Sequence, residues 1–259
     1  MRLLILGGTA DASALAKLLA GDVRFEPTLS LAGRTVSPVT PPIPFRIGGF
    51  GGAEGLATYL RDERFDAMID ATHPFAARIS ANAVKAAEAA RVPLASLVRP
   101  AWALSEGDRW ISVPSPEAAA AALGDAPRTV FLTVGRLELP AFAAAPQHRY
   151  VARVIDRPEG VPLPPDLAFI EARGPYDAEA ELRLMRQGGF DVIVSKNSGG
   201  AATCGKIEAA RALGLPVVMI ERPDKPAGHV LGSAKEAVAW LETLLAARDH
   251  SGARSDRGV

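Results

Sequence analysis

The chain has 259 residues, 48% hydrophobic and 22% charged, which is ordinary for a globular protein and long enough for two units that each bury a core. Lys plus Arg balances Asp plus Glu at 29 each, so the basic excess of a duplex-binding protein is missing and nucleic acid is not an expected partner. One cysteine, Cys204, and four scattered histidines leave no disulfide and no metal cluster to expect; with no secretion signal and no apolar run near the ~18 residues of a membrane span, the expectation is a soluble, cytoplasmic protein.

Short apolar runs alternate with Ala/Leu-rich helical patterns along the chain. "RLLILGG" (2–8) predicts a buried strand, followed by a helix over Asp11–Ala20 with Leu15, Leu18 and Leu19 as its apolar positions. "RFEPTLSLAG" (24–33) predicts a second strand, and Pro27 places it near an edge or bulge. A proline-rich loop and "FRIGGFGG" lead to a helix over 53–62, a strand over 66–72, a long helix from Ala76 to Arg91, and the strand in "VPLASLVRP". A break at Arg99–Ala101 then separates a second series. "WISVP" and "TVFLTVG" are strands around the helix "SPEAAAAALG", with Ser115 as N-cap and Pro116 at N1. "HRYVARVID" and "LAFIEARG" are further strands, then a helix over 177–188, the strand "FDVIVSKN", a helix over 203–213, the strand in "LPVVMIERP" and a last helix over 233–248.

This alternation predicts an α/β fold: two Rossmann-like units with mainly parallel sheets and a cleft between them. The expected division is 1–99, 100–248 and a flexible tail 249–259, with packing of the last helix back on the first unit as the alternative. The Ala-rich helices carry no clear exposed apolar stripe, so a monomer is the expected state.

The first strand–turn–helix, "LILGGTADASALAKLL", suits a phosphate: glycines allow close backbone approach, and the helix start offers N–H groups and a positive dipole end. The dinucleotide fingerprint is only partly met, with Thr9 at its middle glycine and Ala12 at its last position, and a tight turn explains Gly7 and Gly8 without a ligand. The second strand ends in "SLAGRT" (Ser30, Gly33, Arg34, Thr35), with no acid for a ribose 2′-hydroxyl. A guanidinium there suits a 2′-phosphate and favours NADP over NAD; a solvent-facing turn arginine is the plainer reading. Gly48, Gly49, Gly51 and Gly52 border the same end or simply make a turn. "MIDATHPFA" places Asp70, Thr72, His73 and Pro74 at a strand's carboxyl end, where α/β sheets hold ligands.

Gly200 to Lys206 has the G-x-x-x-x-G-K spacing of a P-loop, but Ile207 stands where the magnesium-binding Ser or Thr is required, so a nucleotide hydrolase is excluded. What remains is a strand opening into "KNSGG". Lys196, Asn197, Ser198, Gly199 and Gly200 form an anion-binding loop there, and Lys206 adds a second cation. Arg136, Arg153, Arg173 and Tyr176 follow or end other strands of the second unit, which together suggest a polyanionic small molecule; ordinary surface arginine accounts for part of the set.

The ordered set "ILGGTADASALA", "SLAGRT", "DATHPFA", "GR" at 135–136, "SKNSGG", Lys206 and "AARALGLPVVMIERP" resembles the precorrin-6A reductase family (CobK/CbiJ) of cobalamin biosynthesis, over the whole chain except its tail. Asp11 is a mild departure, since the family often has Glu there. The resemblance implies NADPH-dependent reduction of a ring double bond in a precorrin. NADPH would be held through Gly8, Thr9, Ser30, Arg34, Thr72 and His73 of the first unit. The carboxylates of the tetrapyrrole would be held by Arg136, Arg173, Lys196 and the Ser198–Gly200 amides of the second. Reduction also needs a proton, for which Lys196, His73 and water are the candidates. A two-domain transferase with a nucleotide-activated donor and a non-catalytic NADP sensor are the competing classes.

Overall fold

The computed structural model describes residues 1–33, 40–225 and 228–255, with side chains to residue 248. In chain order, β1 (Arg2–Leu6), α1 (Ala10–Leu19), β2 (Glu26–Leu31), β3 (Phe45–Ile47), α2 (Ala53–Asp62), β4 (Ala67–Asp70), α3 (Ala77–Ala90) and β5 (Leu94–Leu97) come first. There follow β6 (Trp110–Val113), α4 (Pro116–Ala122), β7 (Thr129–Thr133), β8 (Arg149–Val154), β9 (Leu167–Glu171), α5 (Ala178–Gly188), β10 (Val192–Lys196), α6 (Gly205–Leu213), β11 (Val217–Ile220), β12 (His229–Leu231) and α7 (Ala234–Ser255). Single 3-10 segments at Leu139–Ala144 and Ala201–Thr203 were not legible in the sequence.

Two units result: Met1–Arg99 with the segment from Asp224 onward, and Pro100–Pro223. In the first, six parallel strands run β12-β5-β4-β1-β2-β3. β1 and β4 are inner strands covered on both faces, which is why "LLIL" and "AMID" are buried throughout. Leu15, Ala16 and Leu19 of α1 share one core with Ala237 and Leu241 of α7; Leu56 and Leu60 of α2 meet Ala83, Ala86 and Ala87 of α3 in another. Pro27 fits β2 because the Glu26 N–H donates to Met1 on the β1 side, so the missing N–H of Pro27 faces the other side, where β3 begins only opposite Leu29.

The second sheet is again six parallel strands, β6-β11-β10-β7-β8-β9. Phe131 and Phe190 stack at 4.8 Å in a core shared with Ile193, Ile207 and Met219, and Tyr150, fully buried, donates its hydroxyl to the Ala145 carbonyl at 2.8 Å. The α/β expectation of parallel sheets therefore holds.

One boundary differs. Residues 224–248, expected with the second unit, belong with the first. β12 adds to its edge beside β5, from Ala95↔His229 to Leu97↔Leu231, and α7 covers α1. α7 also stays helical to Ser255, past the expected start of a tail. No helix among the described residues is long and apolar enough to cross a membrane.

Candidate functional site

In each sheet the strand order reverses once, between β1 and β4 in the first unit and between β7 and β10 in the second. At such a switch point neighbouring crossovers leave in opposite directions, which opens a crevice beyond the carboxyl ends of the strands. The predicted site residues fall largely around these two places.

At the first, Gly7 and Gly8 join β1 to α1. A Cβ on Gly7 would sit 2.6 Å from Leu29 Cδ1, so this glycine is required for packing against β2. Gly8 has φ +110, and a Cβ placed on it would meet no atom of the described residues within 4 Å, so there is space beside the backbone there. Thr9 is the N-cap: its hydroxyl accepts from Ala12 N at 3.1 Å and donates to the Ala71 carbonyl at 2.8 Å, tying the helix start to the end of β4. That hydroxyl has a structural use, leaving the backbone amides of the α1 first turn as the donors for a ligand. Asp11, in that turn, accepts from Arg99 Nη1 at 2.6 Å.

Ser30 is buried at the end of β2 and accepts from Arg46 Nη1 at 2.9 Å. Arg46 also donates to the Gly48 and Gly49 carbonyls and lies 4.1 Å from the centroid of the Phe50 ring, a cation fixed at the strand ends that sequence reading did not single out. Gly33 follows with φ +70. Arg34 and Thr35 lie outside the described residues.

Around β4, the Asp70 carboxylate is buried and receives Thr72 N at 3.0 Å, Thr72 Oγ1 at 2.5 Å and Ser80 Oγ at 2.5 Å, with Lys225 Nζ at 3.8 Å. The Thr72 hydroxyl thus donates inward rather than to a ligand. Lys225 arrives with the returning segment, so no local pattern signals it. Pro74 is buried, and His73 Nδ1 accepts from Phe75 N at 3.2 Å, placing the proton of the neutral ring on Nε2.

At the second switch point β7 leads through Gly135 to Arg136, and β10 ends in Lys196. Lys196 Nζ donates to Glu138 Oε1 at 2.8 Å. A Cβ on Gly135 would come within 2.6 Å of Glu138 Oε2, so the glycine makes room for that ion pair. Arg136, half-buried, has no hydrogen bond or ion pair among the described residues. Arg173, exposed beyond edge strand β9, is not brought to this point.

The KNSGG loop is tightly determined. Asn197, expected as a substrate ligand, is buried and spends both ends of its amide on Trp102: Oδ1 accepts from Trp102 N at 2.9 Å and Nδ2 donates to Trp102 O at 3.2 Å. Trp102 Nε1 donates to the Gly200 carbonyl at 3.0 Å, and Arg222 clamps the Asn197 and Ser198 carbonyls at 2.8 and 3.0 Å. Gly199 has φ +66, and a Cβ there would meet the Pro100 carbonyl at 2.0 Å. The Asn197 and Ser198 N–H groups are also used within the protein, donating to the Ile220 and Lys196 carbonyls at 2.9 and 2.7 Å, so neither amide is the open anion donor expected from the sequence.

Lys206 is the larger surprise. Where a P-loop lysine would reach outward, this side chain is buried, its Nζ 5.3 Å from the Trp102 ring centroid. Burial, then the nearby Arg153 charge, push its ammonium down to about 7. Arg153 is buried as well, held bidentately by Glu181 and lying 3.7 Å from the Tyr176 ring centroid, so it is not a surface cation. No cluster able to hold a metal occurs among the described residues.

The family described as Precorrin-6x reductase CbiJ/CobK matches residues 2–242. Precorrin-6A reductase of Rhodobacter capsulatus is 50% identical over 241 residues, 93% of this chain and 95% of that protein. Precorrin-6A reductase of a Sinorhizobium species is 52% identical over 246 residues, 95% and 94% of the two chains. The solved structure of a CobK precorrin-6A reductase superposes with a TM-score of 0.90 at 48% identity, covering 94% of this chain and 97% of that one.

Proposed function

The chain belongs to the precorrin-6x reductase CbiJ/CobK family, and we propose that it transfers a hydride from NADPH to a ring double bond of precorrin-6A in cobalamin biosynthesis, yielding the dihydro product. The observation that carries the division of labour is the contrast between the two switch points. One has an open glycine turn at a helix start, and the other has Arg136, Lys196 and the KNSGG glycine loop.

The first unit fits the cofactor. Gly8 leaves the backbone accessible, and the α1 amides and dipole favour a pyrophosphate. Ser30 with Arg46, together with Arg34, suits the 2′-phosphate, and no acid among the described residues at the end of β2 competes for it. When bound, the dihydronicotinamide supplies the hydride; the protein supplies position and exclusion of water. Arg136, Lys196 and the end of the KNSGG loop bind the acetate and propionate groups of the macrocycle, and Glu138 fixes the Lys196 ammonium in place. The relatives reported above are reductases, which leaves a transferase without support.

Titration with NADPH and NADH, followed by nicotinamide fluorescence, tests the cofactor assignment. NADPH is expected to bind more tightly, with the preference reduced in Arg34→Ala and Arg46→Gln. Equal affinities for both cofactors in the wild type would refute it.

A further inference from the structure

We propose that Arg99 binds the diphosphate of the nicotinamide cofactor, its charge offsetting that of Asp11 at the start of α1. The proposal rests on the assignment of the cofactor to the first unit made above.

Asp11 stands in the first turn of α1, where the helix dipole favours a carboxylate. The same turn is where a diphosphate is expected, and phosphate charges repel a carboxylate placed beside them. Thr9 ties this turn to the end of β4, and beside it Gly8 has space where a Cβ would meet no described atom within 4 Å. An acid left alone there would work against the ligand that the turn otherwise suits.

Arg99 removes that conflict. It stands just past the carboxyl end of β5, which lies next to β4 in the sheet, as β4 lies next to β1. From there its Nη1 donates to Asp11 Oδ2 at 2.6 Å, a contact between residues 88 apart in sequence. The two side chains are 16% and 33% exposed, so the guanidinium is mostly covered while the pair keeps a face to solvent. The planar fork of a guanidinium can hold a carboxylate through one nitrogen and a phosphate oxygen through another, which an ammonium does less well.

The sheet order also separates two tasks. Reading β5-β4-β1-β2-β3, Arg99 and Arg46 lie on opposite sides of the turn that follows β1. Arg46, bonded to Ser30 at the end of β2, is on the side assigned to the 2′-phosphate. Arg99 is on the other side, tied to the helix start, so it acts on a group that NADPH and NADH share.

The test titrates wild type, Arg99→Met, Arg99→Lys and Asp11→Asn with NADPH and NADH by nicotinamide fluorescence. Calorimetry adds ADP-ribose, which carries the diphosphate but neither the nicotinamide nor the 2′-phosphate. Arg99→Met is expected to weaken all three ligands by one common factor of about ten or more, the loss of a charge-assisted bond. Arg99→Lys, which keeps the charge without the fork, should fall between. Asp11→Asn should tighten all three, because the guanidinium then faces the diphosphate alone. Equal losses in Arg99→Met and Asp11→Asn would make the pair a brace for α1 and overturn the proposal. A loss confined to NADPH, or unchanged affinities in Arg99→Met, would overturn it as well. Circular dichroism checks the fold; should Arg99→Met not fold, Arg99→Lys and Asp11→Asn decide by the same criteria. A wild type that binds none of the three ligands would instead refute the cofactor assignment.

Discussion

Breaking the buried ion pair of Arg153 and Glu181 gives the sharpest energetic expectation. Arg153 and Glu181 have side chains only 6% and 3% exposed, and both guanidinium nitrogens Nη1 and Nη2 are bonded to the carboxylate. Glu181→Leu leaves that guanidinium buried between the rings of Tyr176 at 3.7 Å and Phe131 at 5.3 Å, with its counter-ion gone. Removing one partner of a buried pair costs about 3–5 kcal/mol, far above the effect of an exposed pair. With a urea m-value near ~2 kcal/mol/M, the midpoint of unfolding should fall by about 2 M. The double variant Arg153→Met/Glu181→Leu removes both charges and should recover most of the loss, because the desolvation cost disappears with the attraction. Since Glu181 also favours the charged form of Lys206, the single variant should move any pH limb due to that lysine to lower pH. Urea denaturation followed by far-UV circular dichroism reads the first effect and steady-state turnover the second. A loss below about 1 kcal/mol in Glu181→Leu would refute the reasoning, for it would mean that water already reaches the guanidinium.

Three further outcomes are expected. Lys196→Ala should weaken macrocycle binding more than NADPH binding, read by separate titrations; the reverse pattern would move the loop to the cofactor. Gly199→Ala combines a positive φ with a Cβ 2.0 Å from the Pro100 carbonyl, so it should lower both the thermal midpoint and macrocycle affinity, and a neutral result would mean that the loop adapts freely. His148 is buried, with neither ring nitrogen hydrogen-bonded among the described residues, and burial first, then Arg128, lower its pKa below 6.5; the nearby Gly124 backbone and Asp125 offset this only in part. The unfolded chain then binds the proton more readily, so the stability tied to His148 is present above pH 6.5 and is lost as pH falls below it. His148→Leu should flatten the dependence of the urea midpoint on pH in that window; an unchanged slope would assign it to other groups.

The strands were legible because inner parallel strands must be apolar on both faces, and "LLIL", "AMID" and "VIVSK" have few other uses. The returning segment was not. β12 has three residues, and the Ala237–Leu241 stripe of α7 predicts a helix without saying which sheet it covers. The same limit applies within the site. That Gly8, Arg136 and the KNSGG glycines stand just past strand ends was legible because turn chemistry and strand ends are local. Asn197 and Arg153 were read as ligands for anions, yet their partners, Trp102 and Glu181, stand 95 and 28 residues away in sequence. A polar residue at a strand end signals a site or a brace with equal force, and only the partner distinguishes them. Arg46 was overlooked for a related reason: its pairing with Ser30 depends on the β2–β3 register, which brings the two residues side by side.

The central claim, hydride transfer from NADPH to a precorrin ring, is tested most directly by anaerobic turnover of precorrin-6A with NADPH carrying deuterium at the transferred position of C4, followed by mass spectrometry of the macrocycle. The account predicts a dihydro product with one deuterium on carbon and one hydrogen drawn from solvent. NADPH oxidation without deuterium in the macrocycle, or a folded protein that binds NADPH and leaves precorrin-6A unreduced, would contradict it.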